Sequence, residues 1–441
     1  MTPARLLERL RSTFWSFAAI SIAFAIAAGL ALPALDDSLT LPGALSFNGS
    51  PDTARAVLQM IATVAVTVAG ISFSVIVVAL VLASQQLSPR VMRSFQRHPL
   101  NQSVLALFLG TAAFSLFVLS AVEDAGNDQQ VPEASITVAM ALAALSLGLF
   151  VVFLHHMVRS LNASAVIRRI AAEGHEAIQE PYPTEVGTSP PDPEAAEARV
   201  EELTGSPPHE VRAPRAGYLA SVAGERILAA AERRDGFVEQ VLAIGDFAVT
   251  GGLLARVWCP EAEARELTGE VKRGFDLNEE RIVDGDSAFL LRQLVDVALK
   301  GLSPGINDPT TAENAMDSVA DSLVRFARQP EPAMLRLAPS GAPRLRAAAP
   351  SLDDLVKLGF DQVRRDGAGR PSFAVRLLEM LGDLRELGGP RARECEEVLF
   401  QARALRDHAI ALAEVPEDEE LVRSAYEALL APSGMDIRRG G

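Results

Sequence analysis

Histidine and cysteine are scarce in this sequence, and the short motifs of familiar enzymes are missing. The chain has six histidines and two cysteines in 441 residues. The histidines are scattered, and the adjacent pair His155 and His156 has no further Cys or His at the spacing of a zinc site. A P-loop, a dinucleotide-binding glycine fingerprint, a nucleophile elbow and an HExxH motif are all absent. We therefore expect no metal ion, no cofactor and no familiar catalytic activity.

Charged residues are missing from four long apolar runs in the first third of the chain. These runs lie at 14–32, 60–82, 104–122 and 136–154. Each is close to the roughly 20 residues that cross a bilayer core. Because a charge at the bilayer centre costs at least about 2.5 kcal/mol, four charge-free runs predict four transmembrane helices. A cleaved signal peptide is the alternative for the first run, but its apolar stretch is too long and three more spans follow.

The arginines of the short loops predict the orientation of these spans. One side carries Arg5, Arg9, Arg11, Arg90, Arg93, Arg97, Arg159, Arg168 and Arg169, and the other carries only Arg55. Positive residues stay on the cytoplasmic side during insertion. We therefore expect a multi-pass protein of the bacterial inner (plasma) membrane, with both termini in the cytoplasm.

The net charge of −15 is carried by the C-terminal part of the chain. Residues 1–175 contain ten Lys and Arg against nine Asp and Glu, so the remainder carries −16. Such an acidic part is not expected to bind nucleic acid or to lie flat on anionic lipid. Its two cysteines, Cys259 and Cys395, would stay reduced in the cytosol, so no disulfide is expected.

The remainder of the chain predicts a cytosolic domain behind the spans. We place a four-span transmembrane domain at 1–178, a proline-rich acidic linker at 179–216, a small β-rich unit at 217–285 and a helical cytosolic domain at 286–432. The linker assignment rests on eight prolines among acidic residues, and the β-rich assignment on short apolar runs between turn residues. The expected fold class is a mainly α membrane protein, with four N-terminal transmembrane helices followed by a cytosolic α+β domain.

The β-rich unit carries a glycine pattern that resembles half of a barrel-sandwich hybrid of the biotinyl or lipoyl carrier type. The pattern runs from Val241 to Val257 and places Gly245 and Gly251 at turns. Carriers of this type present a modifiable lysine on a hairpin, and this pattern lacks one. The resemblance therefore implies a fold without the carrier function.

Several longer segments resemble one bacterial family. They are Gly70–Ser74 running into Leu82–Arg90, the Gly245-Asp246-Phe247 turn, Leu291–Leu299, and Leu302–Thr311 with its string Ser-Pro-Gly-Ile-Asn-Asp-Pro. Together they are similar to the predicted membrane proteins catalogued as domain of unknown function twenty-two fifty-four, over most of the chain. The resemblance implies four spans and a cytosolic domain, and it implies no activity.

Small and polar residues form a stripe along the second span. Thr63, Thr67, Gly70 and Ser74 recur at helical spacing, and Gln85 continues the stripe. One interpretation is helix packing, in which small residues let helices approach and hydroxyls bond across the interface. The other is a pore or substrate path lined by hydroxyls, with the stripes of several subunits facing one axis. The sequence leaves both interpretations open.

A candidate ligand loop lies between two predicted helices of the cytosolic part. Asn307, Asp308 and Thr310 offer oxygen atoms to a cation or, together with the helix N-terminus, a site for phosphate. The same residues also describe an ordinary helix cap, with Asp308 as N-cap and Pro309 at the first helical position. Just before this loop, Arg292, Asp296 and Lys300 recur at four-residue spacing, which predicts a face of paired opposite charges.

The leading functional hypothesis is an oligomeric channel or transport-like protein with a cytosolic regulatory domain. Spans without charge argue against a proton-coupled pump, and four spans per chain favour a path enclosed by a ring of copies. The alternative is a membrane-anchored sensor or scaffold that binds a ligand or partner through its cytosolic domain. An unfamiliar membrane enzyme is a third hypothesis. The expected partners are the lipid bilayer, further copies in a homo-oligomer, and a cation or small ligand of unknown identity.

Overall fold

The chain forms two compact units. The structure, a computed structural model, describes residues 14–36, 47–86, 99–124, 131–160, 162–179, 182–281 and 286–431. The units divide between Val166 and Ile167. This division lies earlier than the predicted boundary at residue 178, because most of the helix after the fourth span belongs to the second unit.

Four apolar helices make up most of the described residues of the first unit. They are α1 (Phe14–Leu35), α2 (Pro51–Gln86), α3 (Pro99–Asp124) and α4 (Glu133–Ser160). Each contains one of the four predicted apolar runs. Each is also long and apolar enough to cross a bilayer, over Phe17–Leu35, Pro51–Leu82, Leu100–Val122 and Glu133–Arg159. The prediction of four N-terminal membrane helices is confirmed.

Helix α3 lies at the centre of the first unit and packs against the other three helices. Phe114 and Val118 of α3 share a buried cluster with Leu58 of α2 and Ile136 of α4. Helix α1 crosses α3 closely, since a Cβ atom added at Gly110 would lie 2.8 Å from the Ser21 hydroxyl oxygen. Small residues at such crossings are typical of membrane helix pairs. The centre of the unit is therefore filled by α3 and its side chains.

Two sheets form the β part of the second unit. Their strands are β1 (His209–Arg212), β2 (Gly217–Val222), β3 (Phe237–Gln240), β4 (Phe247–Ala248), β5 (Leu253–Trp258), β6 (Phe275–Asn278), β7 (Leu335–Leu337) and β8 (Pro343–Arg346). One sheet has the order β1-β5-β3-β8-β7 and the other β4-β2-β6. Neighbouring strands are antiparallel, except that β3 and β8 run parallel.

Helices cover these sheets and form a bundle beyond them. They are α5 (Ala163–Gln179), α6 (Pro193–Leu203), α7 (Gly224–Arg233), α8 (Glu261–Gly274), α9 (Ser287–Leu302), α10 (Pro309–Arg328), α11 (Leu352–Gly367), α12 (Pro371–Leu387), α13 (Pro390–Glu394), α14 (Glu396–Leu412) and α15 (Pro416–Leu430). Ile227 of α7 and Leu267 of α8 are fully buried in the sheet core. The expected fold class, membrane helices followed by a domain with both sheet and helices, is confirmed.

The described part of the predicted linker belongs to this folded unit, which corrects that assignment. Strand β1 is an edge of the five-stranded sheet. Helix α6 buries Ala196 and Val200 against Phe237 and Leu335. Strands β7 and β8 likewise come from the region that we predicted as a helical domain, 286–432. The sequence pattern misses these strands because each has only three or four residues, too few to show alternation.

The predicted turns at Gly245 and Gly251 are confirmed. Their φ angles are +93° and +78°, in the region that favours glycine. Gly251 separates β4 from β5, which belong to different sheets. Gly245 lies against an ion pair in which Arg281 Nε is 2.6 Å from the Oδ2 atom of the buried Asp286. The resemblance to a barrel-sandwich hybrid stays a prediction.

A buried arginine of the sheet donates hydrogen bonds to the segment before α6, residues 184–189. Arg336 of β7 is 3% exposed. Its guanidinium donates to the backbone oxygens of Thr184, Val186 and Gly187 and to the hydroxyl of Ser189. Burial lowers the pKa of Arg336, and this effect is partly offset by the negative charge of Glu225. The segment that we predicted as linker is thus held through its own carbonyl groups.

Candidate functional site

The predicted stripe lies on the outer surface of α2. Thr63, Thr67, Gly70 and Ser74 are all exposed in the first unit. The opposite face of α2 packs into the unit through small residues, namely Ala62, Ala65, Ala69, Ser72 and Ala79. Gln85 lies near the C-terminal end of α2, and its side chain is outside the described residues. The stripe is therefore directed away from α1, α3 and α4.

The hydroxyls of the stripe bond within α2. Thr63 Oγ1 donates to Gln59 O at 2.8 Å, Thr67 Oγ1 to Thr63 O at 2.7 Å, and Ser74 Oγ to Gly70 O at 3.0 Å. A Cβ atom added at Gly70 would meet nothing within 4 Å. Such bonds to the preceding turn satisfy each hydroxyl hydrogen and leave the oxygen able to accept another. Packing through this stripe thus requires a partner outside the four helices.

The candidate ligand loop is built as a helix start. Asp308 accepts hydrogen bonds from the backbone nitrogen of Thr311 at 3.0 Å and from its hydroxyl at 2.6 Å, so it caps α10 as the sequence predicts. Asn307 has a φ of +49°, and its Oδ1 accepts from Arg370 at 3.1 Å. Thr310 is exposed. Both acidic oxygens therefore serve the cap, and this geometry favours the capping interpretation over a ligand site.

Arg370 contacts this loop from a distant part of the chain, and sequence reasoning missed it. Its Nη2 atom also donates to Leu302 O at 3.0 Å, so it joins the end of α9 to the loop. It lies more than sixty positions from both partners, at the start of α12. No local pattern marks such a contact, because helix and cap signals extend over a few residues only.

The predicted charge face on α9 contains one of its expected pairs. Arg292 Nε lies 3.0 Å from Asp296 Oδ1, and both side chains are mostly buried. Lys300 follows one turn later, near the C-terminal end of α9, where a positive charge is favoured by the helix dipole. The Arg292–Asp296 pair therefore stabilises one side of α9.

Comparison with known proteins places the chain in a family. A family model described as "Predicted membrane protein (DUF2254)" matches residues 11–383. The chain belongs to the DUF2254 family. This agrees with the resemblance drawn from the Gly245 turn and the Ser303–Pro309 string.

The mycobacterial proteins to which the chain is similar are themselves described as uncharacterized. An uncharacterized protein of Mycobacterium tuberculosis (strain H37Rv) is 31% identical over 387 residues, covering 85% of this chain and 72% of the relative. An uncharacterized protein of Mycobacterium bovis has the same identity and coverage. No solved structure matches the chain. The family assignment therefore supports membrane association and leaves the activity to the geometry of the chain itself.

Proposed function

We propose that this DUF2254 protein forms an oligomeric channel or transport-like assembly in the membrane, regulated by its second unit. The observation that carries the proposal is the exposed stripe on α2. Thr63, Thr67 and Ser74 present hydroxyl oxygens on a face that none of the four described helices of the first unit covers. Stripes from several copies around one axis would line a path with these oxygens.

The position of α3 supports a ring of copies. Because α3 occupies the centre of the four-helix unit, a path within one copy would have to displace packed residues such as Phe114 and Val118. A path between copies needs no such change. Homo-oligomers usually close around a symmetry axis, which would bring equivalent α2 faces together. The assembly should therefore migrate as an oligomer in mild detergent.

Charge favours cations as the transported species. The chain beyond residue 175 carries −16. A strongly negative domain raises the local concentration of cations at a nearby entrance and lowers that of anions. In this proposal both termini and the acidic unit are cytoplasmic.

Reporter fusions test the orientation on which this proposal rests. The arginine distribution predicts that a reporter fused after Asp124 reads periplasmic, since three spans precede it, and that one fused after Gly187 reads cytoplasmic. Alkaline phosphatase and a fluorescent protein report the two sides. A periplasmic signal from the Gly187 fusion would contradict the orientation.

Cysteine substitutions on α2 test the path. Thr63→Cys, Thr67→Cys and Ser74→Cys should each react with a small charged thiol reagent, and the reaction should reduce cation flux into liposomes severalfold. The native thiols should react little with the reagent, because a raised pKa leaves less of the reactive thiolate. Burial raises the pKa of Cys259. Burial and the charge of Asp353 raise the pKa of Cys395 to about 11. Protein with both native cysteines replaced by Ser provides the reference.

Two positions on the same helix serve as controls. Val68 packs against the core of the unit, and Phe73 is exposed beside the stripe. Cysteines at these two positions should be inert toward the charged reagent. Flux equal to that of empty liposomes, with inert cysteines at all three stripe positions, would refute the path and leave the membrane-anchored scaffold as the better hypothesis.

A further inference from the structure

An open cleft lies on the five-stranded sheet beside α6. Its volume is about 410 Å³. The floor is formed by neighbouring strands through Glu239 of β3, Arg256 of β5 and Arg346 of β8. Val200 of α6 and Thr204 at the C-cap of that helix also line the cleft. Small-molecule sites commonly have volumes of about 300 to 1,000 Å³. The cleft is thus large enough for a ligand of modest size.

Three charged residues cross the floor of this cleft in a row. Glu239 lies opposite both Arg256 and Arg346 in the strand register. Arg256 Nη1 is 2.7 Å from Glu239 Oε2, and Arg346 Nη2 is 2.5 Å from Oε2 of Glu197 on α6. A guanidinium has five N–H donors, so one carboxylate bond leaves most of them for another partner. Both arginine side chains are partly exposed, at 43% and 33%.

An aromatic wall stands next to these arginines. Trp258 and Phe237 line the cleft, with ring centroids 5.9 Å apart. The indole nitrogen of Trp258 donates to Ser206 O at 2.8 Å, which fixes the orientation of the ring. Trp258 remains partly exposed. A flat ring of a ligand can therefore pack against an indole that is already held in place.

We propose that this cleft binds a small organic anion that carries a flat ring, the chemistry of a nucleoside monophosphate. The ring would pack against Trp258, and the anionic group would bind the guanidinium of Arg346 in place of Glu197, while Arg256 keeps Glu239 paired. Guanidinium groups recognise phosphate and carboxylate by paired hydrogen bonds. Arg256 and Arg346 lie on the two strands that flank β3, so together with Glu239 they carry one net positive charge. This inference does not depend on a path along α2.

Glu197 competes with such a ligand for Arg346. The side chain of Glu197 is 46% exposed, so it can turn into water when an anion takes its place. Because Glu197 belongs to α6, binding would release one of the contacts that hold this helix on the sheet. Ligand binding and the position of α6 are therefore coupled in this proposal.

Titration of the full-length protein in detergent with adenosine monophosphate tests the site. Calorimetry should show binding, and the emission of Trp258 should change in protein whose other tryptophan is replaced by Trp15→Phe. Arg346→Gln and Arg256→Gln should each weaken binding by about tenfold or more. Glu197→Gln should instead tighten it by about two- to fivefold, because the competing carboxylate is gone. Arg325→Gln, which removes an exposed ion pair on α10, should leave the affinity unchanged.

Two further probes separate the two parts of the ligand. Adenosine lacks the anion and should not bind measurably, while inorganic phosphate lacks the ring and should bind more weakly than adenosine monophosphate. Three results would each overturn the proposal: no binding of adenosine monophosphate at millimolar concentration, binding that survives both arginine substitutions, or no gain in affinity from Glu197→Gln.

Discussion

Replacing Arg336 by Met is expected to accelerate amide exchange in the 182–189 segment by about 100-fold, equivalent to roughly 3 kcal/mol. The guanidinium donates to three backbone oxygens of this segment, and a hydrogen bond from a charged donor contributes about 1.5 to 3 kcal/mol. Met fills a similar volume but leaves these buried carbonyls without their donor. Hydrogen–deuterium exchange of the full-length protein, followed by peptide mass spectrometry, measures the effect.

The amide of Thr188 is the most informative reporter of this change. It donates to Leu337 O at 3.1 Å, and the amide of Leu337 donates back to Thr188 O at 2.8 Å. These two bonds attach the segment to β7, so both amides should lose protection together. Arg336→Lys keeps the charge but not the planar fork, and we expect it to restore only part of the protection.

An exposed arginine provides the control for this experiment. Arg325 forms an ion pair with Asp321 on α10, and both side chains are about half exposed. Surface pairs of this kind contribute about 0 to 1 kcal/mol, so Arg325→Met should change exchange rates less than about fivefold. Equal protection in the Arg336→Met and wild-type proteins would show that the carbonyls of the segment do not need the guanidinium.

Local signals in the sequence predicted much of this structure. The four membrane helices follow from runs of about 20 apolar residues, a property that each segment has by itself. The cap at Asp308, the glycine turns and the Arg292–Asp296 pair also depend on residues within a few positions of one another. Such features are readable because the chemistry that forms them is encoded at fixed short spacing.

Contacts between distant residues explain what the sequence did not show. The composition of the 182–189 segment is that of a linker. The segment is ordered by hydrogen bonds from Arg336, which lies about 150 residues later in the chain. The cleft combines residues of α6, β3, β5 and β8, so its two arginines come together only through the sheet order. The exposure of the α2 stripe likewise depends on which face α3 covers. Each of these requires the tertiary arrangement, which no window of the sequence contains.

Gly245→Ala is expected to destabilise the second unit by several kcal/mol. A Cβ atom at this position would lie 2.1 Å from Asp286 Oδ2 and 2.6 Å from Arg281 Nη2. Asp286 is buried, pairs with Arg281, and accepts from the Phe289 amide at the start of α9 at 2.8 Å. The new methyl group must therefore push apart a buried ion pair and a helix cap. Losing a partner of a buried pair costs about 3 to 5 kcal/mol.

Gly251→Ala is the matched control, because both glycines have a positive φ angle and they differ in their surroundings. A residue with a Cβ atom costs about 1 to 2 kcal/mol in the left-handed region at either position. At Gly251 an added Cβ would meet nothing within 4 Å, so this backbone cost is the whole expected effect. At Gly245 the displacement of Asp286 adds about 3 kcal/mol more. The difference between the two variants therefore isolates the contact with the ion pair.

Thermal unfolding of the full-length protein in detergent measures this difference. For a unit of this size, 1 kcal/mol lowers Tm by about 2 to 4 °C, so Gly245→Ala should melt roughly 6 to 12 °C below Gly251→Ala. The loss of stability should begin at the Asp286 cap of α9. Amide exchange at Phe289 should therefore accelerate in Gly245→Ala and stay unchanged in Gly251→Ala. Equal melting of the two variants would mean that the turn can move away from Asp286, and that Gly245 is required only for its φ angle.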